Sequence, residues 1–129
     1  MKRKRALALA LAVLTLLALI TGCAASPKTS DNNGFVIGLS SYSLTNSWRV
    51  QLEAEFVQRA DELKADGVIS EYYITNANDD LTKQISDIRD LMTKGCNAIL
   101  VDALSADGLN DVCEEAMENG IVVISFDDV

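Results

Sequence analysis

From Phe35 to Phe126 the apolar residues keep two alternating rhythms, and the switches between them divide the chain into seven elements. Phe35 to Ser40 is a short apolar-rich run that predicts a strand. Trp48 to Ala65 carries Leu52, Phe56, Val57, Ala60 and Leu63 at the recurrence of a helix packed by one face, with Glu53, Glu55, Arg59 and Glu62 off the stripe. Asp66-Gly67 ends that helix, and Val68 to Thr75 predicts a second strand. Asn76 to Asp80 is a polar turn in which Asn78 or Asp79 is placed to cap the next helix. There Leu81, Ile85, Ile88, Leu91 and Met92 form the stripe, and Lys94-Gly95 closes it. Ala98 to Val101 is wholly apolar, the pattern of a strand covered on both faces. Ser105 is expected to cap a third helix that turns Leu109, Val112, Cys113, Ala116 and Met117 inward. Asn119-Gly120 ends it, and Ile121 to Phe126 is a fourth apolar strand.

The order β-α-β-α-β-α-β with short connections predicts an α/β fold, an open parallel sheet with helices on both faces. Ligands of such sheets bind outside the carboxyl ends of the strands. Those ends are Ser40 to Trp48, Thr75 to Asp80, Asp102 to Ser105 and Asp127-Asp128, all polar and all on one rim. A sheet of four strands leaves an apolar edge exposed, so more of the sheet is expected beyond Val129.

The first 34 residues read differently. Met1 to Arg5 is basic, and Ala6 to Ile20 is an unbroken apolar run. That run suits a signal sequence and falls short of the ~20 residues a spanning helix needs. It ends in Ile20-Thr21-Gly22-Cys23, which resembles the lipobox of bacterial lipoproteins. The resemblance implies a signal peptide over 1–22, cleavage before Cys23, and acyl chains on its thiol that anchor the protein to the extracytoplasmic face of the cell membrane. The alternative is an ordinary secretory signal with an incidental cysteine. Residues 23–34 shift to Ser, Pro, Lys, Thr, Asp, Asn and Gly and read as a flexible tether, leaving 35–129 as the folded part.

Charge narrows the partners. The formal net charge is −8, yet four of the eleven Lys and Arg lie in the first five residues. Without them seven positive charges face nineteen negative ones, a balance of −12 that argues against nucleic acid. The chain has no histidine, Cys/His metal set, GxSxG elbow or P-loop, so no metal, cofactor or catalytic residue is expected. Cys96 and Cys113 could pair in an exported protein. However, Cys113 falls on an apolar stripe and Cys96 follows a helix-ending Gly95, which favours two buried free thiols.

Three stretches, IGLSSYSLTNSWRVQ, NANDDLTKQISDIRDLMTKGCNAILVDALSADGLNDVCEEA and NGIVVISFDD, together resemble the sugar-binding proteins of ABC transporters. These have the type I periplasmic-binding-protein fold of the ribose and galactose binders. The resemblance covers Phe35 to Asp128 and implies the opening part of the N-terminal lobe of a two-lobe binder. It implies that Asn46 hydrogen-bonds sugar hydroxyls, that Trp48 stacks on the ring, and that Asp127 accepts two hydroxyl hydrogen bonds. A sugar offers C–H faces to an aromatic and paired hydroxyls to a planar carboxylate. Two positions depart from the ribose type: Arg49 stands where a second aromatic is found, and Asp128 where an arginine follows the acidic residue. Ribose itself is therefore not implied. Arg49 is open to three roles: meeting a ligand carboxylate, meeting a ligand phosphate, or pairing with Asp128. Asp102 shares the rim, as ligand contact or as loop and cap.

The function this implies is a non-enzymatic, lipid-anchored receptor that captures a sugar and delivers it to ABC permease subunits. A ligand-sensing lipoprotein that presents its solute to a membrane receptor shares every feature. An exported glycosidase using Asp102 and Asp127 as its carboxylate pair is the alternative from another class, and a complete but non-functional remnant is a further one.

Overall fold

The computed structural model describes residues 34–127, so the leader, Cys23, the tether and Asp128 lie outside the described residues. The observed order is β1 (Phe35–Ser41), α1 (Ser47–Ala65), β2 (Ile69–Asn76), α2 (Leu81–Thr93), β3 (Ala98–Asp102), α3 (Asn110–Glu118) and β4 (Val122–Phe126). The strands form one parallel sheet in the order β2-β1-β3-β4. This is the open parallel α/β sheet expected from the periodicity. Among the described residues no helix is long and apolar enough to cross a membrane.

Strand order decides which face each helix covers. The chain moves outward from β1 to β2, then jumps back across β1 to β3 and on to β4. Right-handed crossovers running in opposite directions put their helices on opposite faces. Accordingly Ile88 and Leu91 of α2 and Val112 of α3 pack on Ile99 and Val101 in the fully buried core. On the other face Phe56, Ala60 and Leu63 of α1 border a hollow together with Ile37 and Leu100 of the sheet. The alternation within β3 follows directly: Ile99 and Val101 meet one layer, Leu100 the other. Gly38 lies close against the α2 face, where a Cβ would stand 3.1 Å from Leu91 Cδ1 and 3.2 Å from Cys96 Sγ.

The two faces are unequally covered. Of the α1 stripe only Ala60 is buried; Leu52, Phe56, Val57 and Leu63 are half-buried. The hollow, about 370 Å³, lies beside them, bordered also by Phe35 and Val68. α1 packs against the β2 side, and no other described residue covers Val122 and Ile124, which are 57% and 51% exposed on edge strand β4.

Two caps differ from expectation. Asp80 caps α2, its carboxylate accepting from Lys83 N at 3.0 Å. Asn78 and Asp79 instead take left-handed φ values of 52° and 63° in the preceding turn, a conformation Asn and Asp tolerate best after glycine. The third helix starts at Asn110 with no side-chain cap on Leu109. Ser105 Oγ does accept from Gly108 N at 3.0 Å, but it closes a separate turn ahead of the helix. Cys96 is buried, Cys113 partly so, and both are free thiols. Burial pushes both thiols above their ordinary pKa.

Ile99 is fully buried in the core cluster that also contains Ile88, Leu91 and Val112. Replacing it by alanine is expected to cost about 2–5 kcal/mol, and by valine about 0.5–1.5 kcal/mol. Urea unfolding of the full-length protein checks both, and an Ile99→Ala loss no larger than the valine one would show that the site can collapse around the void.

Candidate ligand-binding rim

The jump from β2 to β3 leaves β1 and β3 side by side with their following loops diverging, the point at which open α/β sheets form a crevice. Register places Asn76, Ser41, Asp102 and Phe126 in one row across the four strand ends. Everything on the rim is held from this row.

The loop after β1 is tied down from two sides. Ala77 N donates to Ser41 O and Asp79 N to Tyr42 O, both at 2.9 Å. Ser43 Oγ, fully buried, donates to Asp79 Oδ2 at 3.0 Å. The left-handed backbone at Asp79 is thus used to aim its amide and carboxylate at the neighbouring loop. Asn46 then starts α1 in an extended conformation, φ −121° and ψ 157°, and its Oδ1 accepts from Arg49 N at 2.9 Å. That cap satisfies one of the orphan amides of the first turn. Asn46 and Trp48 are both exposed, Trp48 by 51%.

Arg49 is not exposed. Its Nε donates to Asp102 Oδ2 at 3.1 Å, and its Nη2 donates to Asp127 Oδ2. Its guanidinium carbon lies 4.0 Å from the centroid of the Tyr42 ring and 5.6 Å from that of Trp48, stacking of the kind a weakly hydrated planar cation favours. The Arg49 side chain is 8% exposed, that of Asp102 0% and that of Asp127 32%. Asp127 itself has φ 70°, a left-handed backbone directly after β4. Burial holds the Asp102 carboxyl above the ordinary range, and the nearby Arg49 charge only partly opposes this. Burial likewise works against the Arg49 charge, but Asp102, Tyr42 and Asp127 together raise its pKa. Ser41, fully buried, is the ladder neighbour of Asp102.

The five residues expected at the rim therefore divide. Asn46, Trp48 and Asp127 face outward, while Asp102 lies beneath Arg49 as its buried counterion. Arg49 pairs with Asp102 and Asp127, and Asp128 lies outside the described residues. Three participants were not anticipated: Tyr42, the Ser43–Asp79 pair and Gln84. Gln84 is fully buried; its Nε2 donates to Asp102 O at 2.7 Å and its Oε1 accepts from Leu104 N at 3.1 Å. An amide four residues before Ile88, on the apolar stripe of α2, was its signal. On the exposed helix surfaces Glu62 meets Arg59 and Glu115 meets Arg89. Among the described residues no three His, Cys, Asp or Glu side chains gather in a way that could hold a metal ion.

Residues 37–129 match the model of the periplasmic binding protein domain. Ribose import binding protein RbsB of Bacillus subtilis (strain 168) is 32% identical over 123 residues, 89% of this chain and 39% of that protein. An ABC transporter solute binding protein from Thermobispora bispora DSM 43833 is 32% identical, with a TM-score of 0.70 over 73% of this chain and 30% of its own. The fructose binding periplasmic domain of a hybrid two component system is 30% identical, with a TM-score of 0.60 over 69% of this chain and 28% of its own. The chain belongs to the periplasmic binding protein domain family, and it spans about two fifths of the length of the curated relative it matches.

Two outcomes follow from the geometry. Asn46→Ala is expected to lower stability by about 0.5–2 kcal/mol and Asn46→Ser far less, because serine also caps; equal losses on urea unfolding would remove the cap from the account. For Asp102 the native pKa is raised, so protonation favours the folded state. Its contribution is fully present below the ordinary carboxyl pKa and is lost as pH rises through the raised native value. Measured against Asp102→Asn, which does not titrate, the unsubstituted protein gains relative stability as the pH falls from about 7 to about 3.5. A gap moving the other way would reverse the assignment.

Proposed function

We propose that this member of the periplasmic binding protein domain family captures a small hydroxyl-rich solute, a sugar or cyclic polyol, and delivers it to the permease of an ABC transporter. The observation that carries this reading is the half-exposed Trp48 next to Arg49, whose guanidinium also meets Asp127, with Asn46 capping the same helix at the sheet's crevice. An aromatic face suits the C–H side of a sugar ring, and a carboxylate and an amide suit its hydroxyls. The ribose import protein of B. subtilis and the fructose binding domain, at 32% and 30% identity, supply the same chemical class of solute.

In this reading residues 35–129 form part of the first lobe, and the solute is sealed by closure against a second lobe. Asn46, Trp48 and Asp127 make the contacts; Arg49 and Asp102 support them. Cys23 carries the lipid that keeps the protein on the extracytoplasmic face of the membrane. No reaction is catalysed. A second reading, in which the bound solute is presented to a membrane receptor, is favoured by the two-component origin of the fructose binding domain.

Trp48 at the rim is the natural probe, read as the difference between the unsubstituted protein and Trp48→Phe. In the full-length protein, one of D-ribose, D-fructose, D-allose, D-galactose and myo-inositol is expected to change the Trp48 fluorescence and raise the melting temperature. Trp48→Ala is expected to weaken that solute about tenfold, close to what one aromatic contact contributes. A flat response to the whole panel in both measurements would sink the solute reading. Loss of uptake on deletion, with signalling intact, would separate transport from sensing.

A further inference from the structure

An arginine at the mouth of a ligand crevice ordinarily suggests a receptor for a carboxylate or phosphate. The surroundings of Arg49 oppose that. Its Nε and Nη2 are directed at Asp102 and Asp127, one face of the guanidinium lies on Tyr42, and its side chain is 8% exposed. One positive charge therefore meets two carboxylates. The loops around it add no relief: 41–46, 76–80 and 102–109 contain Asp79, Asp80, Asp102 and Asp107 and no Lys or Arg. An acidic solute approaching Trp48 would face this negative rim with Arg49 already neutralised.

We propose that Arg49 is a positioning residue that fixes Asp127 at the rim against the buried Asp102 anchor, so that the site takes uncharged hydroxyl-rich solutes and rejects their acidic counterparts. This rests on the solute-binding reading and adds the charge of the solute to it. The anchor has a physical logic. Asp127 sits at the sheet edge in left-handed backbone and is one-third exposed, so its carboxylate needs a fixed partner to keep one orientation. Asp102 supplies the rigidity, since its backbone is in the sheet and its carbonyl is held by Gln84. Arg49 transmits that rigidity across the gap between the two strand ends.

The test has two arms, both on the full-length protein. The first needs no solute: urea midpoints of Arg49→Gln, Asp102→Asn and the double variant. Removing Arg49 alone strands Asp102 as a buried charge, so the double variant is expected to be more stable than Arg49→Gln. A double variant less stable than Arg49→Gln would overturn the clamp. The second is titration calorimetry with D-glucose and D-glucuronate, D-galactose and D-galacturonate, and D-ribose and D-ribose 5-phosphate. The neutral member of the bound pair is expected to bind at least about tenfold tighter than the acidic one, as like charges at a binding surface require. Arg49→Lys, which keeps the charge and loses the fork, is expected to weaken the neutral member about tenfold with no gain for the acid. An acidic member that binds as tightly as its neutral partner would overturn the selection. Where the panel identifies a different solute, that solute and its own acidic counterpart form the pair; if nothing in the panel or the pairs binds, the solute reading falls and the selectivity with it, while the unfolding cycle still judges the clamp.

Discussion

The rim depends on one desolvated charge. Arg49 enters from the first turn of α1 and is held by two carboxylates that arrive from the ends of β3 and β4, 53 and 78 residues further along the chain. Breaking one side of a buried pair leaves the other uncompensated, at a cost of about 3–5 kcal/mol. α1 otherwise packs along the β2 side of its face, so Arg49 is what joins the start of that helix to the far half of the sheet. Asn46 and Trp48 take their positions from it: the same residue whose side chain is clamped has its amide capped by Asn46.

The sheet makes the clamp possible by lining up its strand ends. Ser41, Asp102 and Phe126 are neighbours in the ladder, so the residue after β4 and the last residue of β3 reach the same depth. Reversal of strand order between β1 and β3 places the N-terminus of α1 above that row and sends α2 to the other face. From there Gln84 reaches up to hold the backbone after β3. A buried amide with both ends bonded keeps that connection from drifting, at less cost than an unpaired polar group would bring. Loops from β1 and β2 are joined by Ser43 and Asp79 in the same manner. The outward-facing groups are thus few, and each stands on an inward-facing polar contact.

The elements were legible in the sequence because local signals sufficed for them. Strands are runs of five to eight residues rich in apolar and aromatic side chains, helices carry stripes at 3.6 spacing, and glycines at 67, 95 and 120 take left-handed φ where helices end. Helix starts were less legible, since several capping residues compete in one loop. Three Asx residues in a row precede Leu81, and the two that adopt left-handed backbone leave the third as cap. Ser105 is a good capping residue that caps a turn, because Gly108 packs against Leu81, where a Cβ would come within 2.8 Å of Cδ2. The partners of Arg49 were beyond local reading altogether. Nothing near Asn46-Ser47-Trp48-Arg49 says which distant aspartates will meet the guanidinium; only the strand order does.

The clamp also bears on why charge is buried here at all. Replacing a buried ion pair by well-packed apolar side chains is often neutral or stabilising, and Asp102 is held above its ordinary pKa by burial that Arg49 does not fully offset. Stability alone does not explain this arrangement. Under the proposed function its gain lies at the exposed end, where Asp127 occupies a left-handed backbone conformation and would still present its carboxylate in one direction. Local cost concentrated around one outward-facing group is the pattern expected of a binding position. Under the proposed function, the side chain most conspicuous in the sequence, Trp48, and the one most constrained in the structure, Arg49, would serve the same rim in different ways: the first would offer a surface, and the second would set the geometry of the acceptor beside it.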